Sequence, residues 1–260
     1  MLLSVSLILM VGMSMGWLCQ KCRLPSLLGM LATGMVLGPY VLDLLDGSIL
    51  GISPELRKMA LIIILTRAGL GLDTSGLKKL GRPAVLMCFV PASFELLVAA
   101  EEALTTAITF SALIAIMFIG IGLQKKREVV AKRLSVKYGK LWVAAEVFLF
   151  VLVGATVNIG YLGKVGAKAL LLIVGALAFR MLGVFVCLLG TSLSKKERLF
   201  AMMAYTPKAT VQAAIGGIPL ALGFACGDTV LTVAVLAIVL TAPLGAFAMD
   251  LSYKKLLKKG

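Results

Sequence analysis

The sequence contains no histidine. That removes the side chain most often used for proton transfer near neutral pH and a common metal ligand. No nucleophile–base constellation and no phosphate-binding glycine loop is present either, so nothing in the chain points to an enzyme. Five cysteines occur, Cys19, Cys22, Cys88, Cys187 and Cys226. Cys19-Gln-Lys-Cys22 has the spacing of a redox motif, but it lies at the inner end of an apolar span and outside any βαβ context. Two cysteines without a histidine make a poor zinc site. They read as ordinary interfacial cysteines, and no metal or cofactor is expected.

Acid is scarce as well. Twelve Asp and Glu stand against 26 Lys and Arg, for a net charge of +14. Such a balance can mark a nucleic-acid binder, but the positions of the charges argue otherwise. What is abundant is apolar: 60% of the residues are hydrophobic, and the mean hydropathy is +1.05. A soluble domain holds about 45–50% apolar residues. Apolar runs of about 20 residues match a hydrocarbon core of ~30 Å. The alternating pattern of a membrane barrel is missing, and open strands cannot satisfy their backbone in lipid, so the spans should be helices. The first run is too long, and too interrupted by Gly12 and Gly16, for a cleaved signal peptide, and no A-x-A site follows it. The expectation is an all-α polytopic membrane protein in contact with the lipid bilayer.

About nine spans are expected, near 1–18, 25–45, 56–73, 82–100, 103–123, 141–160, 165–191, 198–225 and 229–249. With that count the basic clusters fall on one side. These are Lys21 and Arg23; Lys78, Lys79 and Arg82; the run Lys125–Lys140; Lys195, Lys196 and Arg198; and the tail Lys254–Lys259. The other side holds Asp43, Asp46, Glu55, Glu101, Glu102 and Asp228, with Arg57, Lys58, Lys164 and Lys168 as its basic residues. The positive-inside rule then places the amino terminus outside and the carboxyl terminus in the cytoplasm of a cell-membrane protein. Residues 1–260 read as a single transmembrane domain, with an N-terminal portion 1–100 and a C-terminal portion 101–260. The basic stretch 124–140 reads as a cytoplasmic surface helix or loop. Gly34-x-x-x-Gly38 in the second span has the spacing of a close helix contact.

Ionisable groups inside lipid are the informative ones, because each is costly unless paired or wetted. Arg67, Glu95, Glu146, Arg180 and Lys208 stand out. Glu95 with Arg180 is the favoured pair, as a structural staple or as part of an ion pathway. Glu146 is close enough to Lys140 to reach the interface. Thr156 and Asn158 lie near the outer end of their span.

The most unusual stretch is Tyr205–Phe224, "YTPKATVQAAIGGIPLALGF". Pro207 and Pro219 remove backbone donors, and Gly216–Gly217 weakens the helix between them. A helix broken near 207–219 is expected, with Lys208 as a fixed charge beside the break. Such breaks are tolerated at membrane depth only against protein or a wet cavity, and transporters place them at ion sites. A proline kink with a snorkelling lysine is the simpler alternative.

These residues carry a resemblance. "ERLFAMMAYTPKATVQAAIGGIPLA", "LIIILTRAGLGLDTSGLKKL", "FLFVLVGATVNIG" and the helix around Arg180 resemble, in order, segments of the monovalent cation/proton antiporter superfamily. The resemblance implies exchange of sodium, lithium or potassium for protons. It also implies a homodimer in which a core part moves against a dimerisation part. Glu95, Arg180 and Lys208 match polar core positions of that family. The chain departs from the pattern after Glu95. The helix expected to carry the cation-binding aspartates is missing, no Asp-Asp pair occurs, and Asn158 stands where an acid is frequent. The chain therefore resembles an incomplete exchanger-type fold that lacks an internal segment. A non-transporting remnant or membrane-embedded partner subunit is the alternative to an active antiporter, and a channel is a third possibility.

Overall fold

The computed structural model describes residues 1–71, 116, 119–191 and 193–256. The expected fourth span, most of the fifth, and Asp73, Glu95, Glu101 and Glu102 lie outside the described residues.

All regular structure among the described residues is helical. Helix α1 (Leu2–Lys21) turns at Arg23 into α2 (Ser26–Leu37). Both pack on α5 (Glu128–Ala155), and α2 is wedged between the other two. The wedge works because its contact points are glycines. A methyl group on Gly29 would sit 2.3 Å from the Met15 carbonyl oxygen of α1, and one on Gly34 would sit 2.0 Å from the Val151 carbonyl oxygen of α5. From the other side, Gly154 of α5 faces the Leu31 carbonyl oxygen at 2.2 Å. Gly38 meets Ala155, so both glycines of the Gly34/Gly38 pair lie on the α5 contact. In lipid, where burial of apolar surface offers no gain over the tails, such close backbone approach is the main source of helix association. Ile8, Leu31, Val147, Phe150 and Val151 fill the space around it.

The second span is shorter than expected. Its helix ends at Leu37, and residues 38–46 form turns. Pro39 disfavours helical backbone at the residue before it, and Gly38 is extended (ψ 175°). The apolar residues Val41 and Leu42 therefore extend the hydrophobic run without extending the helix. Asp46 then caps the short α3 (Gly47–Gly51), its carboxylate accepting the Ser48 N–H at 2.9 Å.

Helix α4 (Ser53–Gly71) lies along α5. The basic stretch 124–140 is neither a separate loop nor a separate surface helix. A helical segment spans 119–126, Arg127 breaks it (φ −144°, ψ 68°), and from Glu128 the chain runs unbroken into the membrane span. Nothing between Glu128 and Ala155 is a proline, and an isolated glycine such as Gly139 costs only about 1 kcal/mol. Lys132, Arg133, Lys137 and Lys140 thus lie within α5, with Lys132 paired to Glu128 at 2.7 Å, while Lys125, Lys126 and Arg127 precede it.

Helix α6 (Ile159–Leu188) follows, then α7 (Lys195–Ala204), opened by a reciprocal Ser194/Glu197 capping box. The chain is broken into α8 (Thr210–Ile215) and α9 (Ile218–Ala221) before the long α10 (Gly227–Leu256). Among the described residues, α1, α5, the Gly166–Leu188 part of α6, and α10 are long and apolar enough to cross a membrane. Helix α2 and the broken Thr210–Ala221 stretch are shorter and apolar.

Candidate functional site

The expected break is double. Residues 205–209 carry no helix, and Gly216–Gly217 make a second interruption one short helix later. The first interruption follows from Pro207, which cannot donate a backbone hydrogen bond and restrains Thr206 before it. A break exposes backbone groups that must find partners elsewhere. The Lys208 N–H finds one in α10, donating to Thr241 Oγ1 at 3.0 Å. Thr241 is 2% exposed, and its hydroxyl donates in turn to the Ala237 carbonyl at 2.7 Å. One turn further along the same face of α10, Gly245 makes room for the Pro207 ring; a methyl group there would sit 2.2 Å from Pro207 Cγ. Between them lies Pro243, inside the helix. The unwound segment is therefore seated on a stretch of α10 that carries a proline but stays helical.

Helix α6 approaches the same segment from another side. The Arg180 guanidinium lies over the Tyr205 ring, 5.5 Å from its centroid. Met181 Sδ lies 3.6 Å from the Thr206 hydroxyl, which also reaches the Met202 carbonyl. Arg180, Pro207 and Lys208 thus gather around one interruption. The Lys208 side chain is half-buried there.

Thr156 and Asn158 sit at the connection between α5 and α6. Thr156 is the C-cap of α5, its hydroxyl donating to the Val153 carbonyl at 2.9 Å, and Asn158 is the N-cap of α6. Gly216, Gly217 and Pro219 form the second interruption. Gly216 lies against Ala234 of α10, and Pro219 stands in the first turn of α9, where a missing N–H costs little. Glu95 is outside the described residues, and so is the Glu95–Arg180 pairing. Glu146 is half-buried, one turn along α5 from Trp142.

Three participants were not singled out from the sequence. Thr241 and Gly245 are two small residues four apart, either side of a mid-helix proline. That spacing puts both on one face, and it was the available signal. The third is Arg57, counted above among interfacial basic residues. It is 4% exposed and packs on Gly217. It belongs to the buried face Ser53, Arg57, Ala60 and Leu61 of α4, and this i, i+4, i+7, i+8 stripe is visible in the sequence.

A helical bundle with one apolar helix broken twice, its unwound part seated on a long proline-containing neighbour, defines a polytopic membrane protein of transporter-type architecture. The fold is similar to that of the sodium proton antiporter MjNhaP1 from Methanocaldococcus jannaschii, with a TM-score of 0.73 over 98% of each chain at 16% identity. The family model described as "Sodium/hydrogen exchanger, transmembrane" matches residues 5–100 and 94–249, and the chain belongs to that family. Sodium/hydrogen exchanger 9B2 of Xenopus tropicalis is 36% identical over 150 residues, covering 54% of this chain and 27% of the relative. Human sodium/hydrogen exchanger 9B1 is 38% identical over 130 residues, covering 46% and 25%. The chain spans about a quarter of the length of these curated relatives.

Proposed function

We propose that the chain is a membrane antiporter exchanging a monovalent cation (sodium, lithium or potassium) for protons. The observation that carries this reading is the unwound Tyr205–Ala209 segment, held on α10 through Thr241 with Lys208 at its centre. Backbone freed from helical pairing in a membrane protein is a ready ligand for a cation, and a fixed positive charge beside it balances the carbonyl ends when the cation has left. Coupling needs a carboxylate that holds either a cation or a proton, and Glu95 is the membrane-embedded candidate. Because such a group holds one at a time, the two gradients are linked. Arg180 and Lys208 tune the field around it, and Thr156 and Asn158 add polar groups along the pathway. A homodimer in the cell membrane, amino terminus outside and carboxyl terminus cytoplasmic, completes the proposal.

The test is flux. The purified chain is reconstituted into liposomes, a sodium or lithium gradient is imposed, and lumenal pH is followed with a trapped dye. The expected result is cation-driven proton movement that Glu95→Gln reduces to the level of empty liposomes. No movement above empty liposomes overturns the reading.

One observation favours a second reading. The sequence has no adjacent aspartate pair, and the family model matches in two segments that overlap at 94–100 rather than in one run. On that reading the chain is a non-transporting partner subunit. Silence alone, together with altered flux when it is co-reconstituted with a full-length exchanger, is the outcome that would favour it.

A further inference from the structure

The second interruption has a chemistry of its own. Arg57 Nε donates to the Ser53 carbonyl at 3.3 Å, which accounts for one side of the guanidinium. Its Nη1 is buried with no hydrogen-bond partner among the described residues, and so is the hydroxyl of Ser53 one turn earlier. Two buried polar groups left without partners on one face of α4 require an acceptor, because burying a charged donor unsatisfied is among the most costly arrangements in a protein. Nη1 is aimed at the α8–α9 turn, where a methyl group on Gly217 would lie 2.1 Å from it. Alongside runs a small open cleft, lined by Arg57, Lys58, Pro54, Ala214, Gly217 and Leu222 among others. Two of these side chains are cationic, and none of the residues lining the cleft is acidic. Lys58 is exposed at the rim. Leu222 is 63% exposed, so the cleft opens onto an apolar surface.

We propose that this cleft is an anion site for a phosphate group, carried either by an anionic phospholipid headgroup or by free phosphate. Arg57 brings a guanidinium with an unused donor to the cleft, and the neighbouring ammonium adds charge without fixed geometry. An occupant here bridges α4 to the Gly216–Gly217 turn and so holds the distal half of the broken helix to the α4–α5 pair. The site is separate from the Lys208 interruption and does not depend on whether the chain transports.

Thermal unfolding of the detergent-purified full chain tests it. The protein is melted with added phosphatidylglycerol, with added phosphatidylcholine, with inorganic phosphate, and with sodium chloride at matched ionic strength. The expected result is a rise of roughly 5 °C at saturating ligand over the phosphatidylcholine or chloride control. A rise with phosphatidylglycerol identifies the lipid as the source, and a rise with phosphate alone identifies the free anion. Either rise should vanish in Arg57→Gln and weaken in Lys58→Gln, whose exposed side chain leaves the fold intact if the arginine variant does not fold. No rise over the controls, or a rise undiminished in Lys58→Gln, overturns the proposal.

Discussion

The backbone N–H of Lys208 and the side-chain hydroxyl of Thr241 are joined at 3.0 Å, across 33 residues of sequence. The hydroxyl satisfies a donor that the Pro207 break would otherwise leave buried, and it is oriented by its own bond to Ala237. The two ends of this link differ in kind. The lysine contributes its backbone to this link, the threonine its side chain. Substituting Thr241 by valine keeps the shape and deletes the acceptor. Loss of about 1–3 kcal/mol is expected for leaving the donor unsatisfied. Thermal melting of the detergent-solubilised protein checks it, and Thr241→Ser should recover most of the loss.

Gly245→Ala inserts a methyl group against Pro207, where the contact distance would be 2.2 Å to Cγ. The proline ring is rigid and the segment is already tied at Lys208, so neither side yields easily. A cost of about 1–3 kcal/mol is expected, as for overpacking in a core. If reconstituted flux is observed for the wild-type chain, the same variant should lower it, because the unwound segment is displaced. A wild-type melting temperature would contradict this packing.

The α2–α5 contact offers a cleaner comparison. Gly154→Ala drives a Cβ to 2.2 Å from the Leu31 carbonyl oxygen, and Gly34→Ala drives one to 2.0 Å from that of Val151. Both clashes are with backbone, so the helices must separate along their seam. A loss of at least 1–3 kcal/mol is expected for each. Gly47→Ala in α3 meets open space and should stay within about 0.5 kcal/mol of wild type. Melting the three variants side by side separates a seam effect from a general intolerance of alanine.

Asp46 supplies the pH dependence. The Met1 amino group, 2.7 Å away, and then the Ser48 N–H and hydroxyl hold its carboxyl well below the ordinary aspartate value of 3.8. A group whose folded pKa is depressed contributes stability that is present above the unfolded value and is lost as pH falls below it. The melting temperature of wild type should therefore drop below about pH 4 more steeply than that of Asp46→Asn. Parallel curves for the two proteins between pH 3 and 7 would show that the carboxylate contributes nothing.

Much of this architecture is legible in the residues. Pro207 and Gly216–Gly217 announce a break near 207–219, though not that it is double, because each acts locally, through a missing donor or a missing Cβ, and local effects survive whatever packs around them. The Gly34 and Gly38 pair is readable for the same reason. What escapes is what depends on a partner. Gly38-Pro39 ends α2 early, yet the apolar run continues through Val41 and Leu42, and hydropathy counts the run rather than the helix. The basic turns of α5 look like a loop because charge suggests water, whereas helix continuity depends on the absence of breakers. Arg57 looks interfacial because arginine usually is; its burial is set by α8 and α9, which lie about 160 residues further along the chain.

Helix α5 has a mechanical consequence. At 28 residues it is about 42 Å long, against a hydrocarbon thickness of ~30 Å, so roughly a third of it stands clear of the apolar layer as a rigid stalk. Its C-terminal turns pack on α2, α4 runs alongside it, and it has no joint from Glu128 to Ala155. The stalk is braced as well, with Ala131 fully buried and Ser135 beside Gly71 at the end of α4, so a tilt of α5 carries that end of α4 with it. A spectroscopic label at Val136, 64% exposed on that stalk, would turn the helix into a pointer for that shared movement.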